Sequence, residues 1–422
     1  MQEERRTDAE ILDAVERAAR KLRNQEILLA IASFAVGLGY LVVMLAGRSA
    51  DLRDFVTRPG AGQWEIVGWY LFLFTLIYNV VHLPVSFLRG YVIEKRFRLS
   101  QQRFRRWLWS QAKRFLVSAL MIVALGEAVY FFLRFFDKGW WFWAWLLYLV
   151  FGLLLARYAS RVLIPLFYKK AEIENAEVVD HVERIVDKAG FELKSVKCLI
   201  LEKDTRRANA AVLGMGAAKE ILLSDTLLAT LGPAEIEAVV AHEIGHLRRH
   251  HREMLFGAGM VVSFVAFVFA AGALEMSKGA LEIADVYDVA GFPLIVLVFS
   301  GLFLMVTPVL NYISRIMEHE ADVWAFNLTG DVDALATALD KLAAANLAER
   351  NQPWLYEILF STHPSPANRI EYMKEAAKRN PPKKDDIKDP TKPDDTKAQK
   401  QLDELYKKGK ASGTLMFWDK EP

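Results

Sequence analysis

Six apolar stretches, each about as long as a helix that crosses a bilayer, restrict what this chain can fold into. They occupy residues 27–47, 65–88, 115–135, 140–164, 255–274 and 290–312. A helix needs about 20 apolar residues to cross the hydrocarbon core, and helices buried in soluble proteins seldom run so long. The sequence therefore predicts a mainly α-helical, polytopic membrane protein.

The charges between these stretches predict their orientation. The loop after the second stretch is rich in Lys and Arg and has Glu94 as its single acid, whereas 275–289 is acidic. Loops rich in Lys and Arg stay in the cytosol. Both termini and residues 169–254 are therefore expected on the cytosolic side. The net charge of only +2 excludes a globally basic nucleic-acid binder.

The same patterns divide the chain into segments. They are a cytosolic amphipathic helix at 1–26, a membrane domain with four spans at 27–168, part of a soluble unit at 169–254, two further spans at 255–312, the rest of the soluble unit at 313–377 and a disordered charged tail at 378–422. No cleavable signal peptide is expected at the N-terminus.

The soluble unit is predicted to be a small α+β domain. Its periodicity predicts a helix at 173–190, a strand at 196–202 and a strand or hairpin at 207–216 and 219–223. Pro233 is predicted to begin another helix, because proline is favoured at the first helical position.

The segment Ala241–His246 within that last helix indicates metal chemistry. His242 and His246 are four residues apart on one helix face, so both imidazoles can reach one metal ion. Glu243 lies beside the ion, where its carboxylate can take a proton from the attacking water. This HExxH arrangement is typical of zinc-dependent proteases. A thiolate cage is excluded because Cys198 is the only cysteine.

A catalytic zinc site needs a third protein ligand, and Glu318 is the predicted one. The sixth apolar stretch returns the chain to the side of the HExxH helix, and Glu318 follows its end by one or two turns. Glu320, on the opposite side of that helix, is the competing ligand. Asp322 shares the face of Glu318 and is expected to fix a ligand imidazole. The expected bystanders are His250, His251 and His319.

Further motifs make the chain resemble the M48 zinc metallopeptidases of the Ste24 type, the CAAX prenyl proteases. The resemblance covers roughly residues 65–375. Besides the HExxH segment, the motifs are Glu318-x-x-Ala-Asp322, Asn209-Ala210, Asp225-Thr226-Leu227-Leu228, Ser361-Thr362-His363-Pro364 followed by Arg369, Leu83-Pro84, Tyr91–Glu94 and Ile164–Phe167.

The resemblance implies roles for four more residues. Asn209 and Ala210 would lie on an edge strand that binds the substrate backbone. His363 and Arg369 would sit beside the zinc and either stabilise the oxyanion of the reaction or orient Glu318. It also implies a gluzincin-like fold for the soluble unit.

The resemblance further implies a water-filled chamber enclosed by the membrane helices. Polar residues inside the predicted spans, His82, Glu127 and Arg157, are what such a chamber needs; alternatively they lie at helix ends and snorkel. Two features depart from the Ste24 type. Six spans are predicted here where that type has seven, and the polar run before Asn209 reads Lys203-Asp204-Thr205-Arg206-Arg207-Ala208.

The sequence thus predicts an integral membrane zinc metalloendopeptidase with one Zn²⁺ per chain. Its substrate would be a peptide or protein, prenylated or membrane-associated. It would be a monomer in the bacterial inner membrane, or in the endoplasmic reticulum of a eukaryote. Two rivals are an HtpX-like quality-control protease and a non-catalytic, zinc-bearing scaffold or transporter.

Overall fold

The computed structural model describes residues 2–136, 138–191, 195–213 and 220–379. The helices in these ranges are α1 (Gln2–Val43), α2 (Ser49–Val56), α3 (Gln63–Phe87), α4 (Glu94–Arg96), α5 (Phe104–Phe135), α6 (Trp140–Phe167), α7 (Ala176–Lys188), α8 (Asp225–Thr230), α9 (Pro233–Arg248), α10 (His251–Ser277), α11 (Phe292–Thr329), α12 (Val332–Asn346), α13 (Trp354–Phe360) and α14 (Pro366–Arg379). The strands are β1 (Lys169–Ala171), β2 (Ser195–Ile200), β3 (Ala210–Leu213) and β4 (Glu220–Ser224).

Within the described residues, six helical segments are long and apolar enough to cross a membrane, and they agree in number with the predicted spans. They are Asp13–Val56, Gln63–Arg96, Phe104–Phe135, Trp140–Tyr158, His251–Ser277 and Val289–Thr329. The predicted tail, 378–422, lies outside the described residues from 380 onwards. Lys378 and Arg379, at its predicted beginning, instead close α14.

The predicted N-terminal helix and the first span are one continuous helix. α1 runs from Gln2 to Val43 without a break at residue 26. No glycine or proline stands near that position, so nothing in the backbone ends the helix there. The break comes later, in the π-helical turn Met44–Arg48, where Gly47 takes a φ of 108°. The predicted boundary at residue 26 marks a change from charged to apolar residues, while the backbone stays helical across it.

At one end of the membrane bundle, polar contacts join α2 to the segment that precedes α11. The Arg53 guanidinium lies 2.6 Å from a carboxylate oxygen of Asp288, and Ser49 donates to the carbonyl of Ala290 at 2.6 Å. α11 then has 38 residues, a length of about 57 Å. Its C-terminal part therefore reaches the opposite end of the bundle, where the soluble unit lies.

The soluble unit is built on a four-stranded sheet in the order β1-β2-β4-β3. β2 and β4 are parallel, and β3 pairs antiparallel with β4 and forms one edge. The sheet, α7, α9, α12 and α14 enclose one core of buried residues, among them Ile185, Leu223 and Ile244. The predicted α+β unit is thus present, and the helix predicted from Pro233 is α9.

Two other parts of the chain contact the soluble unit at this end. Arg207 lies 3.2 Å from Glu26 of α1 and 2.9 Å from Glu94 in the basic loop. Glu349 is only 6% exposed and pairs with Arg20 and Arg23 of α1. The N-terminal end of the first span and the basic loop therefore share one end of the bundle with the soluble unit.

The three polar residues expected to line a chamber have different surroundings. His82 of α3 lies 2.6 Å from the Ser33 hydroxyl of α1, so it bridges two helices. Glu127 packs its carboxylate against Gly68 of α3. Arg157 is exposed. The chamber itself stays a prediction.

Candidate metal centre and active site

The HExxH segment lies on α9, which begins at Pro233. Glu235 accepts a hydrogen bond from the Gly232 amide at 2.8 Å and so caps the helix start. One turn apart, His242 and His246 bring their Nε2 atoms to 3.1 Å from each other. The helix therefore presents both imidazoles to one point in space.

Glu318 of α11 completes a three-atom cluster with these rings. Its carboxylate oxygens lie 3.4 Å from Nε2 of His242 and 3.2 Å from Nε2 of His246. Two ligand atoms of a tetrahedral zinc ion, each about 2.0–2.1 Å from the metal, are about 3.3 Å apart. Two ring nitrogens and one carboxylate therefore fit zinc in both chemistry and spacing.

A close contact between helices brings Glu318 to the two histidines. A Cβ atom on Gly245 would lie 3.2 Å from both Cα and the carbonyl oxygen of Ala321. These are backbone atoms of α11, so only glycine lets the two helices approach this closely. Gly245 and Ala321 stand inside the two metal-site motifs, but neither motif indicates that these two residues are in contact. Only the distance between the two helices reveals why residue 245 is a glycine.

Asp322 and Arg369 support His242 from behind. Asp322 is fully buried and accepts from Nδ1 of His242 at 2.8 Å. Burial alone would lower the pKa of His242, but the hydrogen bonds to Asp322 and Glu318 and the charge of Asp322 outweigh burial and raise this pKa to about 9. Arg369 donates to both oxygens of Asp322, at 2.8 and 2.6 Å, and lies 3.2 Å from Glu318. Two acidic groups thus share one buried guanidinium.

Glu243 is half-buried next to the cluster. Burial raises its pKa, although the positive charges of nearby His242, His363 and Arg369 act in the opposite direction. A carboxylate with a raised pKa is a stronger base, which suits proton transfer near neutral pH.

His363 reaches the cluster from the loop after α13. Its Nδ1 lies 2.9 Å from Glu318, and its side chain is 61% exposed. Arg315 of α11 donates to the carbonyls of Glu357 and Ser361 at 2.6 and 2.9 Å, which fixes this loop against α11. His363 is therefore the site histidine that faces open space.

The structure places Glu320, the competing ligand, away from the three-atom cluster. Its carboxylate instead lies 3.1 Å from Nε2 of His251. His251 is 2% exposed, and its Nδ1 lies 3.0 Å from Nδ1 of His246. His251 was expected to be a bystander, but the structure buries it against His246, because the left-handed conformation of His250 starts a new helix at His251. His319 packs its ring against Tyr372 at 4.2 Å and has no contact with the cluster in the described part of the chain.

Asn209 and Ala210 lie where β3 begins. The backbone of Asn209 pairs with Ser224 through two contacts of 2.9 Å, and Asn209 itself is exposed. β3 is an edge strand packed against α9. Further along, Arg252 donates to the carbonyl of Val212 at 2.8 Å and so occupies one outward group of this edge.

Comparison with known proteins decides the family. The model of peptidase family M48 matches residues 172–377, and a model described as CAAX prenyl protease N-terminal, five membrane helices, matches residues 11–169. The chain belongs to peptidase family M48. The two matches together include the membrane helices and the metal centre. They confirm a metalloprotease of the CAAX prenyl protease type that spans a membrane.

Curated relatives of this M48 peptidase come from bacteria and eukaryotes. It is 27% identical to the uncharacterized metalloprotease YhfN of Bacillus subtilis, over 79% of each chain. It is 29% identical to CAAX prenyl protease 1 of Saccharomyces cerevisiae, over 73% of each chain. With the CAAX prenyl protease 1 homolog of Homo sapiens the identity is 24%, over 80% of this chain and 79% of the relative.

A solved structure shares the fold of this M48 peptidase. The crystal structure of S. mikatae Ste24p aligns with a TM-score of 0.76 and 21% identity, over 86% of this chain and 89% of that chain. One difference from the family description concerns the N-terminal part. The description counts five membrane helices, and the described residues between Asp13 and Tyr158 contain four candidate spans.

Proposed function

We propose that this M48 peptidase cleaves internal peptide bonds with one zinc ion held by His242, His246 and Glu318. The observation that carries the proposal is the convergence of two ring nitrogens and a carboxylate at separations of 3.1, 3.4 and 3.2 Å. Bound zinc supplies Lewis acidity, which polarises the scissile carbonyl and acidifies the attacking water. Three protein ligands would leave the fourth position open to water and substrate.

Glu243 is the proposed general base and acid. It would accept the proton of the attacking water and then give this proton to the leaving amine. Its position next to His242 and its raised pKa both support this role.

The two residues near the oxyanion have separable roles. Arg369 is buried and already pairs with Asp322 and Glu318, so it would orient the ligand set and not contact substrate. His363 is exposed, so its ring has room to turn from Glu318 toward a substrate oxygen. We therefore assign stabilisation of the oxyanion to His363.

The edge strand β3 is the proposed binding surface for the substrate backbone. An extended peptide can add to an open sheet edge through main-chain hydrogen bonds, and Asn209 and Ala210 lie where β3 begins. Because Arg252 already binds the carbonyl of Val212, the peptide would pair with the beginning of β3 and end before Val212.

The proposed substrates are peptides with a prenylated cysteine near the C-terminus or other membrane-associated peptides. Several relatives carry the name CAAX prenyl protease, and the N-terminal family match supports this type over an HtpX-like quality-control enzyme. Family membership also counts against an idle zinc-bearing scaffold or transporter.

Purified protein in detergent provides the test. Quenched-fluorescence peptides with and without a farnesylated cysteine should both report turnover that stops with a zinc chelator and returns with added zinc, and the farnesylated peptide should have the lower KM. Chelator-insensitive turnover would remove the zinc mechanism. Equal KM values would remove only the lipid specificity.

We also propose that the metal centre and both termini face the cytosol. The basic loop lies at the same end of the bundle as the metal-site unit, through the contact between Glu94 and Arg207. In a Cys198→Ala background, Tyr287→Cys should react with an impermeant maleimide in intact cells, and Lys95→Cys only after permeabilisation. The reverse pattern would invert the proposed topology.

A further inference from the structure

His246 and His242 are supported by different groups on the side away from the metal cluster. Nδ1 of His242 contacts Asp322 directly, at 2.8 Å. Nδ1 of His246 instead contacts Nδ1 of His251 at 3.0 Å, and Nε2 of His251 lies 3.1 Å from Glu320. Both chains of contacts end at acids of α11, two residues apart. The second series of contacts contains one additional imidazole, that of His251.

The hydrogen-bond directions in this chain follow from the ligand role of His246. If Nε2 of His246 binds the metal, its Nδ1 carries the hydrogen and must donate. Nδ1 of His251 must then be the acceptor, which leaves the hydrogen of His251 on Nε2. That hydrogen points to Glu320, which accepts it. Each group has the one partner that its hydrogen requires.

The backbone is arranged to bring His251 to this place. α9 ends at Arg248, and His250 adopts a left-handed conformation with a φ of 55°. Residues other than glycine rarely adopt this conformation, and histidine is one of the few types that do so more often than the rest. It turns the chain so that α10 begins at His251 with its ring against His246. The rings meet nearly edge to face, at 76° and 5.1 Å between centroids.

We propose that His251 and Glu320 are positioning residues that fix the ring orientation and the tautomer of the metal ligand His246. The pair has no contact with the three metal-binding atoms themselves. It acts through His246 alone, whereas Asp322 and Arg369 act through His242 and Glu318. The proposal rests on the ligand role assigned to His246 under the proposed function.

Replacing His251 by asparagine and by glutamine, whose amide groups can take the place of different ring nitrogens, distinguishes the positioning role from simple packing. In asparagine the amide oxygen can take the place of Nδ1 of histidine, and in glutamine the amide group takes the place of Nε2. His251→Asn therefore keeps the acceptor for Nδ1 of His246, whereas His251→Gln keeps only the group that can donate to Glu320. A packing role would treat two polar amides of similar size alike.

The experiment measures the zinc affinity of the full-length, metal-free protein in detergent, by competition with a chelator of known affinity. His251→Asn should bind zinc within about threefold of wild type, and His251→Gln should bind about 10–100-fold more weakly. Cobalt bound in place of zinc should show a changed visible spectrum only in His251→Gln. Equal affinities for both variants, whether low or unchanged, would overturn the proposal.

Glu320 provides a second, independent pair of variants. Glu320→Gln keeps an oxygen acceptor for His251 and should retain most of the affinity, whereas Glu320→Leu removes it and should lose about tenfold. His250→Asn is the matched control, since His250 is exposed and asparagine tolerates its left-handed backbone. Unchanged zinc affinity in Glu320→Leu would contradict the proposal. A wild-type protein that binds no zinc would instead contradict the proposed function.

Discussion

Close helix packing involves different atoms in the two regions of this molecule. In the membrane bundle, a Cβ on Gly126 of α5 would collide with Cδ1 of Leu71, the flexible end of a side chain. In the metal-site unit, a Cβ on Gly245 of α9 would lie 3.2 Å from backbone atoms of Ala321. A side chain can change its rotamer, but a backbone atom moves only with its helix. The membrane contact therefore tolerates adjustment that the metal centre does not.

α11 connects these two regions in a single element. Its first part is apolar and crosses the bundle, and its last turns carry Glu318, Asp322 and the contact with Gly245. The metal cluster thus depends on the position of a helix that is anchored in the membrane. Substitutions at the metal centre should therefore change catalysis and metal affinity, whereas substitutions in the membrane bundle should change stability.

The largest effect is expected from Glu243→Gln, which removes the proposed base and leaves the donor atoms in place. We expect kcat to fall about 10³-fold with zinc content unchanged, because a general base contributes about 10²–10⁴-fold. Peptide turnover and metal analysis of the same sample measure the two quantities. Glu253→Gln, at an exposed acid ten residues on, is the control. Cleavage at the wild-type rate by Glu243→Gln would exclude Glu243 as the base.

The next effect tests the helix contact at the metal centre. Gly245→Ala places a methyl group against the backbone of Ala321, so α11 must move by a few tenths of an ångström and carry Glu318 with it. We expect zinc affinity to fall about tenfold, comparable to the loss of a supporting contact. Gly257→Ala is the matched control, since no atom lies within 4 Å of its added Cβ. Equal affinities of the two variants would show that the contact does not set the ligand geometry.

Much of this division was predictable from the sequence. The length and apolarity of the spans predicted the membrane bundle. The spacing of His242 and His246 predicted a shared metal site, and the return of the sixth span to the same side predicted that Glu318 joins it. The roles of Gly245 and His251 were not predictable in this way. The role of Gly245 depends on the distance between two helices, and the role of His251 depends on the left-handed turn at His250. Neither the distance nor the turn produces a periodic pattern in the sequence.

A smaller effect tests the shared guanidinium of the metal centre. Arg369→Lys keeps the positive charge but cannot pair with both oxygens of Asp322 and with Glu318 at once. Zinc affinity should fall by about three- to tenfold, measured by chelator competition. Arg379→Lys, on the same helix with a solvent-exposed pair to Glu375, should change nothing. A loss of the same size in both variants would point to α14 as a whole and not to the fork of contacts at Arg369.

The smallest change in chemistry is expected from Gly126→Ala in the membrane bundle. The added methyl group would collide with Leu71, which is fully buried, and the leucine must leave its rotamer. Overpacking of this kind costs about 1–3 kcal/mol, so thermal unfolding in detergent should begin several degrees lower. Zinc affinity and KM should equal those of wild type, because Leu71 can move without moving α11. Gly126→Ala could instead lower zinc affinity as much as Gly245→Ala does. That result would show that packing changes in the membrane bundle reach the metal ligands, and the proposed difference between the two regions would be wrong.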